Sequence, residues 1–168
     1  MNIRDAKIAI IHDWFKENSL GGAEKVTFLL DTFLRKNYST PDIFSLTSNL
    51  KLLEKNNLKK RRIKNSFIQS LPFGKTKVQN YLPLLPFAIE QIDLRNYNLI
   101  LSSSHAFAKG VLTSPDQLHI SYIHTPMRYA WDQMNIYLQH TNFASVSFEI
   151  PIRYIFYKLR EWDFSSSQ

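Results

Sequence analysis

Three short polar segments carry the residue types that could do chemistry, and each follows an apolar stretch. They are His12-Asp13, Ser102-Ser103-Ser104-His105 and His124-Thr125-Pro126. A histidine can donate, accept or transfer a proton near neutral pH, so a hydrogen-bonding or polarising role is the leading interpretation. The three histidines could instead bind zinc, although the HExxH spacing is absent, and each could also be structural.

A glycine pair, Gly21-Gly22, stands just before a predicted helix. Glycines let the backbone approach a ligand closely, and the free N–H groups of a helix N-terminus attract phosphate. The segment lacks both the GxGxxG dinucleotide fingerprint and the GxxxxGKS/T phosphate loop, so neither NAD binding nor ATP hydrolysis is indicated. A tight turn into the helix is the alternative.

Hydroxyl and cationic groups could complete a polar site. Ser102, Ser103 and Ser104 could bind sugar or phosphate oxygens or cap a turn. A serine hydrolase is not indicated, because the GxSxG elbow is absent. Arg128 could clamp a carboxylate or phosphate, and Tyr129 and Trp131 could stack on a sugar or pack. Lys109 could add cationic character to the rim.

Apolar runs alternate with amphipathic segments along the chain, which predicts strands alternating with helices. The predicted strands are Lys7–His12, Asp42–Thr47, Arg62–Ile68, Asn98–Ser102 and His119–Ile123. The predicted helices are Glu24–Lys36, Ser48–Asn56, Pro126 to about His140, and Pro151–Trp162. Pro72, Gly74, Pro83 and Pro86 predict that any helices between Lys75 and Gln91 are short or kinked.

This alternation predicts an α/β fold, a Rossmann-like doubly wound and mostly parallel sheet with helices on both faces. Ligands of such sheets bind beyond the carboxyl ends of the strands. We therefore expect the three polar segments and the glycine pair to meet at one edge of the sheet.

Composition bounds the class of protein. The 168 residues, 44% of them hydrophobic, fit one folded domain spanning 1–168. Without cysteine the chain can form neither disulfides nor thiolate zinc sites, so a cytoplasmic setting is the default. The apolar run Ile8–Ile11 is too short for a signal peptide, and no run approaches a membrane span.

The net charge of +7 favours polyanions or an anionic membrane surface as partners. Much of the excess is clustered in one segment: Lys55, Lys59, Lys60, Arg61, Arg62 and Lys64. No helix-turn-helix, zinc or RNA-recognition signature accompanies it, so nucleic acid is disfavoured. The cluster is a solvated loop, a peripheral contact with the inner face of the membrane, or a region that attracts an anionic substrate.

Three blocks of sequence together resemble the N-terminal domain of a family 4 glycosyltransferase. They are "IHDWF…GGAEKV", "LPLLPFAIEQIDLRNYNLILSSSHAFAKGV" and "HISYIHTPMRYAWD". This is the retaining group with the GT-B fold, in which the active site lies between two Rossmann-like domains. The resemblance covers about residues 5–163, and it is greatest to bacterial mannosyltransferase-like members that build surface polysaccharides.

The resemblance implies roles for particular residues. Gly21 and Gly22 match the loop that approaches the donor phosphates, and His124 matches a histidine beside the donor sugar. The acceptor-side candidates are His12, Asp13, Ser104, His105, Arg128 and Asp132. No metal or other cofactor is implied, because the group needs none.

The implied reaction moves a hexose from a nucleotide-diphosphate sugar to a glycan or lipid-linked acceptor. The family's second domain, with its paired glutamates, has no counterpart in the 168 residues. We therefore expect a fragment, a truncated gene product or half of a split enzyme whose partner is a separate C-terminal domain, and little activity from this chain alone. Two alternatives stay open: a non-catalytic sugar- or phosphate-binding domain or inactive product, and an NAD-type oxidoreductase domain.

Overall fold

Five parallel strands form one sheet at the centre of the structure. The computed structural model describes residues 6–16, 21–49, 63–132, 134 and 146–168. The strands are β1 (Ile8–Phe15), β2 (Asp42–Ser48), β3 (Ile63–Asn65), β4 (Leu99–Ser104) and β5 (Leu118–Ile123). Their order is β3-β2-β1-β4-β5, and every neighbouring pair is parallel. The predicted α/β, Rossmann-like fold is confirmed.

Helices cover both faces of the sheet. The described α-helices are α1 (Gly22–Asn37), α2 (Leu85–Glu90), α3 (Arg128–Trp131) and α4 (Val146–Ser165). Leu34 of α1 packs with Ile8 and Ile10, whereas α2 and α4 share a larger core with Ala9 and Ile11. Because alternate strand residues point to opposite faces, α1 lies on one face and α2 with α4 on the other.

Strand β1 and helix α1 form where the sequence predicts them. All eight residues of β1 are buried, as is typical of a central parallel strand with both faces covered. Helix α1 has Glu24 in its first turn and Arg35 and Lys36 in its last turn, which suits the helix dipole.

The strand ends differ from the prediction in one way that affects the site. Strand β1 continues to Phe15 rather than ending at His12, and β4 continues to Ser104 rather than Ser102. Trp14 and Phe15 still pair with β2, so the hydrogen-bonded ladder continues through the polar residues. His12, Asp13 and Ser104 therefore lie inside strands and not in the loops that follow them.

Edge strand β3 is shorter than the predicted Arg62–Ile68. Ser66 ends it, because its hydroxyl donates to the Leu46 carbonyl oxygen (2.8 Å) and accepts the Ile68 N–H (3.3 Å). A short 3₁₀ helix, Phe67–Ser70, follows, and two more span Val78–Leu84 and Ala108–Gly110. Val78–Leu84 and helix α2 lie between Lys75 and Gln91, so the short helices predicted there are confirmed.

The remaining helix predictions are partly covered by the described residues. Helix α3 begins two residues after Pro126, and most of its predicted continuation to His140 lies outside the described residues. Of the predicted helix Ser48–Asn56, Ser48 ends β2 and 50–56 are not described. Helix α4 contains the predicted Pro151–Trp162 and begins five residues earlier.

None of the described helices combines the length and the apolar composition that crossing a bilayer requires.

Candidate functional site at the carboxyl edge of the sheet

The order of the strands creates a switch point between β1 and β4. From β1 the chain first extends the sheet on one side through β2 and β3, and then on the opposite side through β4 and β5. His12 of β1 lies beside Ser103 of β4 near the carboxyl ends of both strands. A crevice opens at such a reversal, and it is the usual ligand site of open parallel sheets.

Asp13 organises the loop that follows β4. Its buried carboxylate accepts hydrogen bonds from four consecutive backbone N–H groups, those of His105, Ala106, Phe107 and Ala108. The Nδ1 atom of His105 lies 3.1 Å from Asp13 Oδ2. Burial alone raises the pKa of Asp13, but the two neighbouring histidines and the amide donors together hold that pKa below its usual value.

This geometry corrects the acceptor-side prediction for Asp13. The residue is fully buried, and both its oxygens are occupied by the loop. It holds His105 in place and cannot itself contact an acceptor.

His12 is also buried, at the centre of the network. Its Nδ1 lies 3.0 Å from the Ser103 carbonyl oxygen, and since a carbonyl only accepts, Nδ1 carries the proton. Burial lowers the pKa of His12 to about 4, against the opposing effect of Asp13, so the imidazole is neutral at neutral pH. Its Nε2 is therefore a lone-pair acceptor, and it has no hydrogen-bond partner among the described residues.

His124 follows β5 and contacts the same serine from the other side. Its Nε2 lies 2.9 Å from Ser103 Oγ, which lies 3.3 Å from the Ala23 carbonyl oxygen. The arrangement that satisfies both contacts has Nε2–H donating to the hydroxyl and the hydroxyl donating to Ala23. Nδ1 of His124 is then the acceptor nitrogen.

The electrostatics keep His124 neutral. Partial burial and the neighbouring His105 lower its pKa, while Asp13 and Glu24 act weakly in the opposite direction. A neutral imidazole with a free acceptor nitrogen can orient a hydroxyl group by hydrogen bonding.

A cleft of about 430 Å³ lies at this edge of the sheet. Four of the predicted site residues line it: Gly21, Gly22, His105 and Arg128. Thr125, the residue after His124, also lines it. The structure thus brings the glycine pair together with the segments that follow β4 and β5, as the topological argument predicted.

The two glycines play different parts. A Cβ atom on Gly21 would lie 2.8 Å from Glu24 Oε2, so this position leaves room for the buried Glu24 carboxylate. A Cβ atom on Gly22 would meet nothing within 4 Å, so space is open above the first turn of α1. Gly22 is therefore the glycine at which a ligand could approach the backbone.

Sequence reasoning missed four polar or aromatic residues that line the cleft: Trp14, Lys16, Glu24 and Gln79. Burial lowers the pKa of Lys16, and Glu24 partly offsets that effect. The Lys16 ammonium also lies 5.4 Å from the Trp14 ring centroid. Lys16 and the helix N-terminus favour an anion here, whereas the Glu24 carboxylate opposes one. The sequence shows Glu24 as an acidic residue in the first turn of a helix, but it does not show that Glu24 is buried.

The other acceptor-side candidates do not face the cleft together. Ser104 is buried, and its hydroxyl has no partner among the described residues. Asp132 is exposed one turn beyond Arg128 on α3, with its carboxylate 3.5 Å from the Arg128 Nε. Of the six candidates, His105 and Arg128 line the cleft.

Two further residues have structural contacts, which for Trp131 agree with the packing alternative and for Lys109 replace the suggested role at the rim of the site. Trp131 donates its indole N–H to Asp163 (2.8 Å), so it packs against α4. The Lys109 ammonium forms a buried ion pair with the same carboxylate (2.7 Å) and does not contribute to the rim.

The basic cluster is represented among the described residues by Lys64. Its ammonium contacts Asp42 (3.2 Å) and the Tyr97 hydroxyl (3.0 Å). Lys59, Lys60, Arg61 and Arg62 lie outside the described residues. Lys64 also lines a larger cavity of about 630 Å³ at the opposite edge of the sheet, together with Lys7, which precedes β1, and Asp42, which begins β2. Asp42, Lys64 and Tyr97 pair with one another there, whereas Asn65 Oδ1 has no partner among the described residues. We place the functional site in the smaller cleft because it lies at the carboxyl ends of the strands, where parallel sheets bind their ligands.

The zinc interpretation of the histidines has no geometric support. Within the part of the chain that the structure describes, no group of three or more histidine, aspartate or glutamate side chains is placed to hold a metal ion. Ring nitrogens of His12, His105 and His124 instead contact Ser103 and Asp13.

Comparisons of the chain with protein-family models, with curated proteins and with solved structures found no match.

Proposed function

We propose that this chain is the acceptor-side, N-terminal half of a retaining glycosyltransferase with two Rossmann-like domains. The observation that carries the proposal is the cleft at the β1–β4 switch point, where Gly22, His105 and Arg128 converge. Its donor is a nucleotide-diphosphate hexose of the mannose class, and its acceptor a glycan or lipid-linked hydroxyl of cell-surface polysaccharide synthesis. The setting is cytoplasmic, at the inner face of the membrane.

The residues of the cleft suit parts of this reaction. Lys16 and the N–H groups at the start of α1 attract the donor diphosphate, with the closest approach above Gly22. His124 is not among the residues that line the cleft, but it directly precedes the lining residue Thr125. From that position its neutral imidazole accepts a hydrogen bond from a hydroxyl of the donor sugar through Nδ1 and so orients the ring. Arg128 adds positive charge beside the leaving group.

The chemistry then needs no covalent intermediate on the protein. The bond from the anomeric carbon to the diphosphate oxygen breaks, and the acceptor oxygen bonds to the same face of that carbon. The acceptor proton passes to the departing phosphate. The contacts to the nucleotide base belong to a second domain, so this chain alone binds the donor weakly.

A backbone-resolved NMR titration with GDP-mannose, and with UDP-glucose for comparison, tests the proposal. We expect weak binding that shifts the amide signals of Gly21 to Glu24, His105 and Thr125. Gly22→Leu should abolish the shifts while keeping the thermal unfolding temperature, because its added side chain enters open space. Absence of any shift, or shifts confined to the Lys64 and Tyr97 edge, would contradict the proposal.

A non-catalytic sugar- or phosphate-binding domain is the second candidate. It is favoured by one observation. The His105 imidazole contacts the buried Asp13 carboxylate, and Glu24 is itself buried, so neither cleft residue is an exposed acid or base. Joining the chain to a matching second domain separates the two functions. Hexose transfer that disappears in His124→Ala, with unchanged unfolding temperature, supports the enzyme, and binding without transfer supports the alternative.

A further inference from the structure

Phe73 is held outward by a backbone conformation that large residues avoid. Its φ angle is +56°, and no other non-glycine residue in the described ranges has a positive φ. The side chain is 73% exposed. An exposed aromatic residue in a strained conformation gains nothing from the core, which suggests that its position serves a contact outside the fold.

The turn around Phe73 is rigid. The Phe73 carbonyl accepts the backbone N–H groups of Thr76 (3.0 Å) and Lys77 (2.7 Å), and Gly74 donates to Leu71 (3.0 Å). A Cβ atom on Gly74 would lie 1.9 Å from the Ile68 carbonyl oxygen, so the turn fits closely against the 3₁₀ helix Phe67–Ser70. Phe73 is therefore presented in a fixed place.

More exposed apolar side chains belong to the same part of the fold. Phe67, on that 3₁₀ helix, and Phe87, on α2, are 41% and 54% exposed, and their ring centroids lie 5.9 Å apart. Leu84, at the start of α2, is 42% exposed. We call Phe67, Phe73, Leu84 and Phe87 the aromatic rim.

The charged residues on the turn that carries Phe73 are all cationic. From Ile63 to Ile89 the sequence contains three lysines and no acidic residue. Lys64 pairs with Asp42, whereas Lys75 and Lys77 are exposed on the Phe73 turn, and the Lys77 ammonium lies 5.7 Å from the Phe73 ring centroid. Apolar rings flanked by cations match a surface that is anionic outside and apolar beneath, which is the interface of an anionic lipid bilayer.

We propose that the aromatic rim docks this protein onto anionic phospholipid membranes, with Phe73 inserted and with Lys75 and Lys77 at the headgroups. A groove that stacks nucleic-acid bases would hold its aromatic residues between walls, whereas Phe73 stands on a turn. Gln79, six residues further along the chain, lines the cleft at the switch point. The inference does not depend on glycosyl transfer.

Sedimentation with vesicles tests the proposal on the whole chain. We expect binding to mixed phosphatidylcholine and phosphatidylglycerol vesicles, weak binding to pure phosphatidylcholine, and loss of binding as salt rises from about 0.1 M to about 0.5 M. Phe73→Asn should reduce partitioning about tenfold, the factor that corresponds to the burial of one aromatic side chain. Asparagine tolerates positive φ, so this variant should unfold at the same or a higher temperature.

Matched variants on α1 serve as controls. Leu29 is 70% exposed, and Leu29→Asn should bind as the wild type does. Lys75→Gln/Lys77→Gln should weaken binding about fivefold per lysine, whereas Lys25→Gln/Lys36→Gln, with the same change of net charge, should have a much smaller effect.

Three results would overturn the proposal. One is equal binding to neutral and anionic vesicles. Another is equal loss of binding in Phe73→Asn and Leu29→Asn. The third is binding to RNA that outcompetes the vesicles and is unaffected by Phe73→Asn, which would make nucleic acid the partner.

Discussion

At the scale of single residues, Asp13 has more influence on the site than any residue that lines the cleft. Its carboxylate receives four backbone N–H groups and lies 3.1 Å from the His105 imidazole. The loop after β4 follows a path set by this one side chain. His105 can face the cleft because Asp13 beneath it is buried and fully hydrogen-bonded.

Asp13→Asn tests this role. The amide keeps the shape of the side chain but turns N–H groups toward backbone donors, so we expect a loss of about 3 kcal/mol in the free energy of unfolding. Urea denaturation measures that loss, and amide hydrogen exchange should show weaker protection at His105 to Ala108. Asp93→Asn is the control, because the exposed Asp93 carboxylate pairs locally with Arg95. A similar loss in both variants would contradict the role of Asp13.

At the scale of elements, the close fit of α4 depends on the glycine at 110. A Cβ atom there would lie 2.3 Å from the Trp162 ring. Trp162 also donates its indole N–H to Glu90 (2.6 Å), and the Lys109–Asp163 ion pair lies beside it. Helix α4 thus contacts the 3₁₀ helix Ala108–Gly110 and helix α2, on the face of the sheet opposite α1.

Gly110→Ala should displace α4 and lower the free energy of unfolding by about 2 kcal/mol. Gly22→Ala is the matched control, since its methyl group enters open space at the start of α1 and should be neutral or slightly stabilising. Thermal unfolding of both variants measures the difference. Gly110→Ala should cost less in a Trp162→Leu background than in the wild type, and an equal cost in both backgrounds would show that the contact with Trp162 is not the cause.

At the scale of the whole molecule, the buried titratable groups predict how stability depends on pH. Burial lowers the pKa of His12 from 6.5 to about 4 in the folded state. As the pH falls, His12 is therefore protonated in the unfolded chain before it is protonated in the folded protein. The contribution of His12 is therefore fully present above pH 6.5 and is lost as the pH falls toward about 4. The lowered pKa of Asp13 acts in a separate window, with its contribution lost below the usual aspartate pKa.

Urea unfolding of the wild type and of His12→Asn across this range checks the prediction. Asparagine keeps a donor for the Ser103 carbonyl but does not titrate. We expect the stability of the wild type to fall by roughly 3 kcal/mol more than that of the variant between neutral pH and pH 4. Parallel pH profiles for the two proteins would show that His12 titrates normally in the folded state.

The sequence by itself determined the fold and the edge of the sheet that carries the site. Continuous apolar runs predict buried parallel strands, and the helical spacing from Val26 to Leu34 predicts α1, because both patterns are local. The rule that ligands bind beyond the carboxyl ends of parallel strands then places the polar segments at one edge. Gly22, His105 and Arg128 do line one cleft there.

Only the tertiary structure decided which polar residues face that cleft. His12, Asp13 and Trp14 are consecutive in the sequence. His12 and Asp13 are nevertheless buried against residues some 90 positions away, whereas Trp14 lines the cleft. Burial and hydrogen-bond partners come from the pairing of β1 with β4 and from the loop beyond it, which no local pattern reports. The burial of Glu24, the pairing of Lys109 with Asp163 and the outward position of Phe73 are likewise tertiary features that no local pattern reports.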